Sequence, residues 1–67
     1  MTRPELHALV DIVMDARERM PNEDIWLDIN TDIKVYHVCS KVFSLGCYPT
    51  FSDFTQAVKE YIKTLEG

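Results

Sequence analysis

The chain has 67 residues, a net charge of -4 and a 46% share of hydrophobic residues. That length makes one domain, residues 1–67, which buries only about 60% of its unfolded surface and leaves little room for a ligand-sized pocket. The negative balance opposes non-specific attraction to nucleic acid or anionic lipid and favours a basic partner. No apolar run approaches bilayer-crossing length, the N-terminus lacks the sections of an export signal, and two cysteines make no disulfide framework. A cytosolic protein is expected.

Thr2-Arg3-Pro4-Glu5 is a compact helix start: Thr2 caps, Pro4 suits the first turn, and Glu5 stands where a capping box needs an acid. Leu6, Leu9, Val10, Val13, Ala16 and Met20 then recur at helical spacing, with His7, Asp11, Asp15 and Glu18 opposite. Arg17 and Arg19 suit the negative pole, and Pro21 ends the run, so a helix is expected over about 3–19. Asn22-Glu23-Asp24 is a second start signal, for a short helix at 22–29 or an extended connector. Trp26, the largest apolar residue of that segment, is expected to bury the body of its indole.

The stretch from Asn30 to Gly46 dominates the reading. Asn30, Lys34, His37, Lys41 and Ser44 fall at steps of four, three, four and three, a thin polar stripe on an otherwise apolar helix. Such a helix must be covered on several sides, at the centre of a bundle or in a subunit interface. Gly46 is the expected stop, with Cys47 folding back onto Val42 in a Schellman turn. The competing reading is a hairpin turning at Asn30-Thr31-Asp32, suggested by the alternation of Ile25, Leu27 and Ile29 and by the β-branched Ile33, Val35, Val38 and Val42. It ranks second, because no glycine stands at the left-handed position of that turn.

Thr50 with Asp53 starts the last helix, on which Phe51, Phe54, Val58, Tyr61, Ile62 and Leu65 form one face. Short connections favour antiparallel neighbours. The expected fold is therefore an all-α three-helix bundle with an optional fourth helix at 22–29. One Trp, three Tyr and three Phe are a surplus for so small a core, which points to a homodimer.

His7, His37, Cys39 and Cys47 are metal-capable, yet no CxxC or HxxxH spacing brings them together. No acid or histidine stands one turn from Cys39 to activate it, and Gly46 and Gly67 make no phosphate-cradling loop. Neither catalysis nor a cofactor or metal is expected. Two charged surfaces remain. Asp11, Asp15, Glu18, Glu23, Asp24, Asp28 and Asp32 form an acidic patch suited to a basic, even nucleic-acid-binding, partner protein. The function expected is an interaction module, an adaptor or inhibitor. The alternative is a helix-turn-helix DNA-binding regulator that uses the 31–45 helix and presents Lys34, His37 and Lys41 to nucleic acid, although Asp28 and Asp32 would repel phosphates.

Overall fold

A computed structural model describes all residues from Met1 to Gly67. The elements in order are α1 (Arg3–Arg19), β1 (Leu27–Asn30), β2 (Val35–Val38), β3 (Lys41–Ser44), a 3-10 turn at Leu45–Cys47 and α2 (Phe51–Glu66). The three strands form one antiparallel sheet in the order β1-β2-β3. Both helices lie on one of its faces, so the architecture is α+β in two layers and not the all-α bundle expected from periodicity.

The helices follow their sequence signals. At α1 the Thr2 hydroxyl accepts from Glu5 N–H while the Glu5 carboxylate accepts from Thr2 N–H, the reciprocal capping box. At α2 the Thr50 hydroxyl accepts from Asp53 N–H at 3.1 Å. Leu9, Val13 and Ala16 of α1 and Phe54, Val58 and Ile62 of α2 are the buried positions. Their spacing of three and four residues is what brings them onto one face of each helix.

Residues 22–29 and 31–45 form no α-helix, and this is the main correction. The strand composition of the segment prevails over its helical polar period, because each alternate residue finds the layer it needs. Leu27 pairs with Val38 and Ile29 with Tyr36 across β1 and β2, and Tyr36 pairs with Phe43 across β2 and β3. All of these point toward the helices, and Tyr36, Val38 and Phe43 are fully buried. The five polar residues of the supposed stripe are divided between the β1–β2 turn, which holds Lys34, and both sides of the sheet.

The turns explain why the hairpin ranks second on sequence alone. Asn30 Oδ1 accepts from Asp32 N–H at 3.1 Å and Ile33 N–H at 3.4 Å, a side-chain substitute for turn backbone bonds. The left-handed residue of that turn is Lys34, at φ 56°, and the β2–β3 turn places Cys39 at φ 54°. Both are conformations that glycine would adopt more cheaply. Gly46 itself lies in the 3-10 turn without positive φ and with open space around its α-carbon, so the expected Schellman turn is absent.

A meander of three strands stands between two helices, and α1 and α2 run parallel. Met1 and Glu5 lie beside Thr50 and Phe51 at one end, and at the other Arg19 donates to both Asp15 (2.9 Å) and Glu66. These exposed ion pairs contribute at most about 1 kcal/mol each. Apolar burial contributes more. Phe54, fully enclosed, meets the rings of Tyr36, Phe43 and Tyr48 edge-on and that of Phe51 in a stack, with centroids 5.5 to 6.2 Å apart.

Candidate functional site

Because both helices occupy one face of the sheet, its other face is bare. Strand alternation decides what stands there. The pairing sets Asp28, His37 and Val42 in one row and Asn30, Val35 and Ser44 in the next. Trp26 extends the first column, since Cys39 N–H donates to the Trp26 carbonyl at 2.9 Å and carries the β1–β2 ladder one pair further. Its neighbours Ile25 and Leu27 turn toward the core, which sends the indole outward.

The result is a mixed apolar and acidic surface. Trp26 is 43% exposed, Val42 55% and Ile33, in the β1–β2 turn, 65%. None of these three packs against the core cluster. The exposed acids Asp24, Asp28 and Asp32 border this face from the connector before β1, from β1 and from the β1–β2 turn. His37 Nδ1 lies 3.7 Å from Asp28 Oδ2, too far for a hydrogen bond, so the pair is ionic only when the imidazole is protonated. The half-buried thiol of Cys39 donates to the Asp24 carbonyl at 3.4 Å and ties the link before β1 to the β2–β3 turn.

The two layers divide the acidic patch read from the sequence. Asp11, Asp15 and Glu18 ride on the outer side of α1, across the thickness of the molecule from Asp28. Asp15 is already engaged by Arg19. Glu23 stands in the turn after α1, lining a cleft of about 520 Å³ with Arg19 and Glu66. Asp24, Asp28 and Asp32 alone border the bare face. Their spacing of four, which in a helix would crowd like charges, here spreads them along a connector, a strand and a turn.

Lys34, His37 and Lys41 are not brought together either. Lys34 is in the β1–β2 turn, and His37 is on the bare face. Lys41 is on the helix-covered side, its Nζ 5.8 Å from the ring centres of both Phe43 and Tyr61. With 31–45 folded as strands and turns, the helix that a helix-turn-helix reader requires does not exist. His7, His37, Cys39 and Cys47 form no cluster that could hold a metal ion, and both cysteines are free thiols. No helix is long and apolar enough to cross a membrane.

The residue that sequence reasoning undervalues is Trp26, whose ring is more open than the buried indole expected. The signal was present: Ile25, Leu27 and Ile29 alternate with Trp26, Asp28 and Asn30, and an alternating strand with one apolar register puts the other register in water. Comparison with protein-family models, with curated proteins and with solved structures returns no significant match, so the geometry of this face carries the functional reading.

Proposed function

We propose that this protein is a non-catalytic interaction module that docks a basic protein through the bare face of its sheet. The observation that carries this is the exposed Trp26, with the exposed Asp24 two residues before it and Asp28 two residues after it on the same face of β1, and the exposed Val42 farther across the sheet in the row of Asp28 and His37. A large exposed aromatic side chain supplies the buried anchor of an interface, and carboxylates at its border select a cationic partner and speed encounter. The partner chemistry is a Lys- or Arg-rich surface that also presents an aliphatic side chain to the indole. Arginine suits it best, since the guanidinium stacks on an indole and pairs with a carboxylate. An adaptor or an inhibitor would work this way, by occupying a basic surface that otherwise meets something else. A cytosolic setting agrees with the two unpaired thiols.

Affinity capture from the native cell, with three baits, tests the proposal. The wild-type chain should retain a basic protein that Trp26→Ala and Asp28→Lys lose, while a bait with Asp11→Lys and Glu18→Lys keeps it. Loss through the α1 changes alone would move the site to the other layer and refute this one.

A further inference from the structure

The free edge of the sheet at β3 holds a second, independent surface. Hydrogen bonds at the ends of the ladders fix its phase: Leu45 N–H donates to the Lys34 carbonyl, and Cys39 N–H to the Trp26 carbonyl. In an antiparallel pair the backbone groups of alternate residues turn inward and outward. Lys41, Phe43 and Leu45 therefore face β2 with their backbone groups, and Val42 and Ser44 direct theirs to the open edge. Below that edge, between β3 and α2, runs a groove of about 300 Å³ floored by Phe43, Ala57 and Tyr61, with Lys41 and Glu60 on its sides. Lys41 has no carboxylate partner in the chain.

We propose that a second copy of this chain occupies this edge, pairing β3 with β3 about a twofold axis at Val42. That axis suits both ladder phase and side-chain facing. Val42 exchanges N–H and carbonyl bonds with its own copy, Lys41 falls opposite Phe43 of the second copy, and the helices of both copies stay on the same side of a six-stranded sheet. The groove is also complementary in charge to itself: each copy brings one unpaired cation, Lys41, and one anion, Glu60, so a twofold axis makes two opposite-charge encounters. Across that axis the two α2 helices flank the same seam, and the small Ala57 on the groove side of each leaves room for close approach. The other edge, β1, opposes such pairing, because an axis near its middle sets Asp28 beside its own copy. The dimer also joins two bare faces into one, with Val42 at the seam.

Sedimentation and hydrogen exchange on the full chain test this. The wild type should be dimeric, with the Val42 and Ser44 amides protected in proportion to concentration. Lys41→Glu and Glu60→Lys, made separately, should each weaken the dimer about tenfold or more. Mixed in equal amounts, those two variants should pair with each other, since every cross-axis encounter is again between opposite charges; far-UV circular dichroism verifies that each remains folded. A wild type that stays monomeric at all accessible concentrations overturns the proposal, as does a dimer indifferent to both reversals. Protection of the β3 amides only when a captured partner is bound overturns it too, because the strand's occupant is then that partner.

Discussion

Lys34 offers the sharpest test of the fold, because helix and hairpin readings of the central segment give opposite signs for the same substitution. In the structure Lys34 has φ 56°, and its side chain is exposed and makes no ion pair or hydrogen bond. A left-handed conformation costs a residue with a β-carbon roughly 1–2 kcal/mol. Lys34→Gly removes that cost and loses roughly 0.5–1 kcal/mol to the greater freedom of the unfolded chain. The net gain is about 0.75 kcal/mol at mid-range, within roughly 0–1.5, and at about 4–8 °C per kcal/mol for a domain of this size the melting temperature should rise by roughly 3–6 °C. Lys34→Ala keeps the β-carbon and should match the wild type. In a helix the order reverses, with alanine best and glycine about 1 kcal/mol worse. Thermal and urea denaturation of the three proteins decides it: if the glycine variant is less stable than the alanine variant, residues 30–38 are not this hairpin.

Phe54→Ala empties the centre of the ring cluster and should cost about 3–5 kcal/mol, a large part of the roughly 0.05–0.15 kcal/mol per residue that holds a domain of this length together; its urea midpoint should fall steeply or the cooperative transition disappear. Tyr36 is fully buried, and its hydroxyl meets no hydrogen-bond partner in the chain. Tyr36→Phe should therefore leave stability unchanged or raise it by about 1 kcal/mol, and a clear loss by denaturant titration would show that the hydroxyl is satisfied. The carboxyl of Glu5 is held below its ordinary value, first by the Thr2 backbone N–H, then by the Thr2 hydroxyl, with the positive N-terminus adding to both. A depressed folded value means that the ionised form stabilises the fold above the unfolded value and that this is lost as pH falls through the folded one. The wild type should thus exceed Glu5→Gln in stability at neutral pH, with the gap closing from about pH 4.5 downward; a gap that does not depend on pH would refute the carboxylate's role.

Both helices were legible because their signals are local and agree with one another. Thr2 with Glu5 and Thr50 with Asp53 mark the starts, and the buried faces Leu9, Val13, Ala16 and Phe54, Val58, Ile62 have the spacing of a helix. The sheet was harder for a physical reason. Four-residue strands are too short for a period of two to outweigh a chance helical spacing, and the polar steps from Asn30 to Ser44 were such a coincidence. The turn positions that usually announce a hairpin with glycine are filled by Lys34 and Cys39, whose strain is offset by the packing of the strands on either side. The sequence joins Asp24, Asp28 and Asp32 with Asp11, Asp15, Glu18 and Glu23 in one acidic set, and the layer that separates the first three from those on α1 follows from tertiary structure that no local pattern contains.

The parallel course of α1 and α2 has a bearing on how the molecule comes together. Two helices that point the same way cannot be closed by a short turn, and their meeting at Arg19 and Glu66 joins residues 47 apart in sequence. The β2–β3 hairpin and α2, by contrast, touch through neighbours close in sequence, with Phe43 and Phe54 in ring contact. Loop-closure entropy therefore favours a nucleus in the C-terminal half, with α1 docking onto the sheet as the late event. On that order of events the amides of α1 should exchange ahead of those of β2, β3 and α2 in native-state hydrogen exchange.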